Sequence, residues 1–187
     1  PYFRSRAEHA HDTGVAIMRP LAVEFPDDAA SWPIADEYML GDSLLVAPVM
    51  TEGATSRAVH LPSGAWFPWA GGAPVSGGDV SADAPTTEIP LYARAGAIVA
   101  TYPDGVLTLV TEPAPDRVID VFAGADGSFS ENGVTYDLKN GGSAATIAWN
   151  GVPLPACAAT PVAPCATSDA TTIRAWVTGY GTLDAQA

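Results

Sequence analysis

His11-Asp12-Thr13-Gly14-Val15-Ala16-Ile17-Met18-Arg19-Pro20-Leu21 is the stretch that decides the fold. Glu24-Phe25-Pro26 follows it, and then Tyr38-Met39-Leu40-Gly41-Asp42-Ser43-Leu44-Leu45-Val46-Ala47-Pro48-Val49. Upstream, Phe3, Ala7 and Ala10 recur at helical spacing, which predicts a helix over residues 2–12. Gly14 fits the left-handed position that closes a helix C-terminus. Residues 15–18 form an apolar run short enough for a buried strand, and Pro20 ends it by removing a backbone donor. A crossing loop then leads to a second buried strand within residues 43–49.

Beyond Val49 the pattern changes. Arg57-Ala58-Val59-His60-Leu61 and Ala65-Trp66-Phe67-Pro68-Trp69 predict two short strands separated by Pro62-Ser63-Gly64. Gly71-Gly72 and Gly77-Gly78 read as turns. Glu88-Ile89-Pro90-Leu91-Tyr92 and Gly96-Ala97-Ile98-Val99 suit further strands. Tyr102-Pro103-Asp104-Gly105 is the expected domain boundary. Past it, residues 106–110, 117–122, 134–138, 144–149 and 171–178 all suit strands of a second, smaller β domain. Pro153, Pro155, Pro161 and Pro164 predict irregular chain over residues 153–166. Short strands with Gly and Pro turns at this spacing indicate mainly β, antiparallel sandwich architecture.

The bulk properties bound the function. The chain has 187 residues, 48% of them hydrophobic, so one domain or two small ones can each bury a core. A net charge of −13, from 8 basic and 21 acidic residues, argues against a nucleic-acid partner, which needs clustered cations. No run approaches the ~20 apolar residues of a membrane span. The chain opens on Pro1 with neither an initiator Met nor a leader pattern, so it reads as a cut or processed piece. Cys157 and Cys165 are the two cysteines, and they can close a small loop or stay as free thiols. A bond between them would point to an oxidising, secreted or periplasmic setting.

Three blocks in register, HDTGVAIMRPLAVEFPDD, DEYMLGDSLLVAPVMTEGATSRAVHLPSGAWFPW and EIPLYARAGAIVA, resemble family 31 of the glycoside hydrolases, the α-glucosidase and α-xylosidase family. The resemblance implies the last helix and strand of a (β/α)8 barrel over residues 1–40. It further implies a proximal antiparallel β-sandwich over 41–104 and a distal β domain over 105–187. A full barrel takes roughly 250 residues, so most of it would lie outside this chain. In the distal part, VFAGADGSFSENGVTYDL looks like the segment where the family carries an aromatic-Glu-Asp-Asp-Gly run, here shortened to Glu131-Asn132-Gly133; no role is carried onto those residues. The implied substrate is an α-linked oligosaccharide or glycoside, reached through the barrel, with no cofactor.

Retaining glycosidases use two carboxylates about 5–5.5 Å apart, one as nucleophile and one as acid. By resemblance both come from barrel strands upstream of His11, so no catalytic, cofactor-binding or metal-binding residue is expected here and the isolated chain is expected to be inactive. Asp27-Asp28 and Asp36-Glu37 are adjacent pairs, and neighbours in extended chain point apart; capping and loop hydrogen bonds suit them better. His9 and His11 lack the helical spacing of a ligand pair. His11 suits a bond to a helix-end carbonyl, and His60 reads as a packed or surface residue. Arg19 ends the first strand, and the expectation is a structural ion pair with Glu24. Trp66, Phe67 and Trp69 allow either core packing or sugar stacking. The rival functions are therefore a stand-alone carbohydrate-binding module and a purely structural β-sandwich.

Overall fold

The computed structural model describes residues 1–103, 116–131, 134–139, 146–158, 163–168, 172–177 and 183–186. It is mainly β and divides into two units, His9–Ala95, and Pro1–Glu8 with Gly96–Ala187. Helix α1, Tyr2–Thr13, is the longest helix among the described residues. Gly14 ends it as expected, at φ +76° with its N–H on the Ala10 carbonyl at 2.9 Å. That conformation suits a residue without a Cβ.

In the unit His9–Ala95, six strands form one sheet: β1 Met18–Pro20, β2 Tyr38–Leu40, β3 Leu44–Val46, β4 Ser56–Pro68, β5 Val75–Asp83 and β6 Leu91–Arg94. Their spatial order is β1-β2-β3-β6-β4-β5, and every pairing is antiparallel. The first strand differs from the expectation. It lies at Met18–Pro20 rather than over residues 15–18, and Val15 and Met18 are exposed. It pairs antiparallel with β2, whereas barrel strands pair in parallel. β1 is an edge strand of this sheet. Helix α2, Leu21–Glu24, follows at once and drops Leu21 into the core beside Met39, Leu45, Leu61 and Trp66.

Strand β4 is a second correction. Pro62-Ser63-Gly64 does not split it; the strand runs through Ser56–Pro68 and bulges. Leu61 faces Gly78 and Ala65 faces Ser76, so four steps along β4 match two along β5. Gly77 and Gly78, expected as a turn, lie inside β5 opposite this bulge. A Cβ on Gly77 would sit 2.5 Å from the Pro62 carbonyl oxygen, which explains glycine within a strand.

The other unit holds β7 Ile98–Thr101, β8 Arg117–Phe122, β9 Gly127–Glu131, β10 Val134–Lys139, β11 Thr146–Trp149, β12 Val152–Pro153, β13 Cys165–Ser168, β14 Thr172–Val177 and β15 Leu183–Gln186. They form a four-stranded sheet, β13-β14-β8-β7, and a five-stranded sheet, β12-β11-β15-β10-β9. Among the described strands pairing is antiparallel apart from β10 with β15, which run parallel. Ile119, Val121, Tyr136, Leu138, Ile173 and Leu183 are buried in this unit. The start of α1 belongs to it. Tyr2 stacks on Phe129 at 5.9 Å between ring centroids, and the Ser5 hydroxyl donates to the Ser130 carbonyl.

The cysteines are joined, Cys157 to Cys165, with Cα atoms 5.0 Å apart. Two backbone bonds brace the linked segments, Cys157 N–H to Ala166 O and Ala166 N–H to Pro155 O. The strand expected over residues 106–110 and the end of the Tyr102–Gly105 turn lie outside the described residues, as do Asn132 and Gly133.

Candidate functional site

A cleft of about 590 Å³ opens in the unit His9–Ala95, lined by residues of the 24–28 segment, by His60, Leu61 and Ser63 of β4, and by Gly77 and Gly78 of β5. The sequence puts it there for two reasons. Pro20 and the short α2 turn the chain sharply after β1, and the bulge with its facing glycines leaves room beside β4.

Glu24 forms one wall. Arg19 donates to its Oε2 from Nε at 2.9 Å and from Nη2 at 2.7 Å, and Arg94 of β6 reaches Oε1 at 3.3 Å. The Arg19 partner expected from the sequence is therefore present, and Arg94 adds a second cation from 70 residues away. The Arg94 guanidinium also lies 5.1 Å from the centre of the Phe25 ring. Such a fork fixes a carboxylate by geometry and charge together.

The opposite wall centres on His60. Its Nε2 lies 2.9 Å from Asp28 Oδ2, and its Nδ1 lies 2.7 Å from Asp79 Oδ1. Asp28 is also the cap of a 3-10 turn, Ala29–Ser31, accepting from the Ala30 N–H at 3.1 Å and from the Ser31 hydroxyl at 2.8 Å. The capping role expected of the Asp27-Asp28 pair thus falls to Asp28. The hydrogen bonds from His60 and Ser31 hold the Asp28 carboxyl below the ordinary range, outweighing its partial burial. For His60, burial favours the neutral ring, but the Asp28 and Asp79 bonds outweigh it and raise the pKa.

Behind this wall, Arg57 gathers the loops. It bonds Asp36 Oδ2 at 3.1 Å, Glu37 Oε1 at 2.9 Å and the Asp36 and Pro48 carbonyls. Glu37 is buried and also accepts from the His60 backbone N–H. Burial raises its pKa against the pull of that N–H and of Arg57. Asp36 and Glu37 therefore serve the loop bonding expected of them.

Several candidates are placed elsewhere. Trp66 is fully buried, and its indole N–H donates to the Pro62 carbonyl at 2.7 Å; the side chain cannot stack on a sugar. His9 and His11 project from exposed helix, and the Thr13 hydroxyl, not His11, bonds the His9 carbonyl at 2.7 Å. Among the described residues no three His, Cys, Asp or Glu side chains are grouped to hold a metal. In the other unit, Arg117 and Glu131 form a fully buried pair with contacts of 2.9 and 3.1 Å. Only a lone Arg at the head of an apolar strand hinted at that pair.

Chemically, Glu24, Asp28, Asp36 and Glu37 are each tied to a cation, a cap or both. This arrangement holds loops in place; it leaves none of these four as a free nucleophile beside a free acid.

Residues 14–99 match the model of the glycosyl hydrolase family 31 C-terminal domain. Isomaltosyltransferase of Sporosarcina globispora is 38% identical over 100 residues, covering 53% of this chain and 9% of that protein. Alpha-glucosidase 2 of Bacillus thermoamyloliquefaciens is 30% identical over 150 residues, covering 75% of this chain and 18% of that protein. The chain therefore spans less than a fifth of the length of either relative. Among solved structures, the family 31 alpha-xylosidase of Xanthomonas citri superposes with a TM-score of 0.62 at 40% identity, over 67% of this chain and 14% of that one. A family 31 dextranase of Flavobacterium johnsoniae reaches 0.67 over 99% of this chain and 30% of that one, at 19% identity, a likeness of fold alone.

Proposed function

Residues 14–99 belong to the glycosyl hydrolase family 31 C-terminal domain, and from that premise we propose that the chain is the C-terminal β region of a retaining α-glycosidase, bracing a catalytic (β/α)8 barrel rather than carrying out chemistry itself. The enzyme as a whole would hydrolyse α-linked glucosides or xylosides, with both catalytic carboxylates on barrel strands outside these residues. One observation carries this reading: two carboxylates along the cleft wall are spent on cations and caps, Glu24 on Arg19 and Arg94, Asp28 on His60 and the 3-10 turn.

The hydrogen bonding supports a domain division. We place the end of the barrel in α1 and begin the proximal β region at Gly14, because β1 and β2 share a sheet with β3 to β6. The distal region begins near residue 96. The Cys157–Cys165 bond supports an oxidising compartment for the enzyme.

The test is an assay of the 187-residue chain on aryl α-glucosides and α-xylosides, with folding verified by circular dichroism. No turnover is expected. Turnover that copurifies with the chain and survives removal of contaminating enzyme would overturn the proposal. Calorimetry with α-glucan oligosaccharides separates the carbohydrate-binding alternative, which requires saturable binding.

A further inference from the structure

We propose that His60 is a proton-operated clasp, bridging the loop that carries Asp28 to the strand that carries Asp79 when its ring is doubly protonated, and breaking that bridge when one proton leaves. The argument is one of donor counting. An ionised carboxylate only accepts, and a neutral imidazole has a single N–H. Yet both ring nitrogens lie at hydrogen-bond distance from carboxylate oxygens, 2.9 Å to Asp28 and 2.7 Å to Asp79. Both contacts are hydrogen bonds only in the imidazolium.

The partners sit on separate elements. Asp28 caps the 3-10 turn after α2, while Asp79 lies directly across from His60 in the β4–β5 register. The ring is thus the tie between the loop and β5. Most of the surrounding charges have partners of their own. Glu37 takes the His60 backbone N–H but is paired with Arg57, as is Asp36; Glu24 is paired with Arg19 and Arg94; Asp27 lines the same cleft.

The two halves of the clasp differ. Asp28 keeps two further donors, Ala30 N–H and the Ser31 hydroxyl. The Asp79 side chain is 84% exposed, so water readily replaces the ring. On deprotonation Nε2–H stays with Asp28, and Nδ1, now a lone pair facing a carboxylate, releases Asp79. The loop loses its tie to β5, and the Asp28 bond keeps its ionised acceptor but loses its cationic donor. The pKa of His60, raised by these two carboxylates, puts the change above the ordinary histidine range.

Long-range proton–nitrogen NMR of the full chain from pH 5 to 9 tests this. The three histidines are separated with His60→Gln; should that variant not fold, His9→Gln and His11→Gln on the exposed helix identify His60 by difference. The expected result is two protonated ring nitrogens at pH 5, loss of the Nδ1 proton as pH rises, and a lower midpoint in Asp79→Asn. The exchange protection of the Ala30 amide, corrected for the intrinsic pH dependence, should fall about tenfold across the same midpoint, the scale of one charge-assisted hydrogen bond. A ring singly protonated at pH 5, or a ring that titrates with no change in Ala30 protection, overturns the clasp.

Discussion

Arg19 and Glu24 are five residues apart, one in the middle of β1 and the other at the end of α2, and their pairing could be read from the sequence because so little chain separates them. Arg94 could not be read that way, since only the β3–β6–β4 order brings it to Glu24. The third contact changes the expected cost of losing Arg19. Breaking a buried pair costs about 3–5 kcal/mol when a charge is left alone. Here Glu24 keeps Arg94, so Arg19→Met should lower stability by about 1–3 kcal/mol in urea unfolding of the chain. In the longer enzyme it should lower Tm while leaving kcat per folded molecule near normal; lost turnover in a stable variant would give Arg19 a role in substrate handling. His60 was harder to read. Its carboxylates lie 32 residues before it and 19 after, and they meet it only through loop packing and the β4–β5 register. The sign of its contribution is fixed by that meeting. The raised His60 pKa gives stability that is complete below about 6.5, the unfolded value, and lost as pH climbs through the folded value. The depressed Asp28 pKa gives stability that is complete above about 3.9 and lost as pH falls through its folded value. Thermal melts should therefore show both contributions intact near pH 5–6, with an alkaline decline that His60→Gln flattens. An equal decline in that variant would assign it to other groups.

At the scale of elements, glycine and proline marked most strand neighbourhoods correctly, because a strand needs an interruption at each end. They misled where one strand absorbs its own interruption. Pro62-Ser63-Gly64 has turn composition, yet β4 continues through it because β5 offers two glycines opposite the bulge. Periodicity in one segment does not reveal what its partner strand can accommodate. The same limit shifted β1. An apolar run over residues 15–18 looks buried in isolation, but the bonds to β2 begin only at Met18. The glycine contacts make this testable. Gly77→Ala drives a Cβ to 2.5 Å from the Pro62 carbonyl oxygen, and Gly127→Ala drives one to 1.8 Å from the Gly96 carbonyl oxygen. Both neighbours are backbone and cannot rotate away. Each substitution should cost about 1–3 kcal/mol or more, as overpacking does. Hydrogen exchange should place the loss in His9–Ala95 for Gly77→Ala and in Gly96–Ala187 for Gly127→Ala. Unchanged protection in the affected strands would mean that the backbone shifts without penalty.

For the whole molecule, the order of the three family-like blocks carried more information than any one residue, and it concerned architecture rather than chemistry. Composition bounded the core and disfavoured a nucleic-acid partner, but it could not say how the nine described strands of the Gly96–Ala187 unit divide between two sheets, or that β10 would accept β15 in parallel. Those choices depend on pairings across many residues. The cysteines sit at one such junction, joining the segment after β12 in the five-stranded sheet to β13 in the four-stranded one. With its loop of about 9 residues closed in the unfolded chain, the bond contributes ~2.6 kcal/mol in the chain-entropy model. Replacing both cysteines by serine should remove about that much from the Gly96–Ala187 unit. The His9–Ala95 unit contains neither cysteine and should keep the exchange protection of β3, β4 and β6. Exchange measured by mass spectrometry on the oxidised chain and the double-serine variant checks both halves at once. Equal loss in both units would mean that they unfold as a single cooperative body, and no loss in either would mean that the loop is already closed in the unfolded chain.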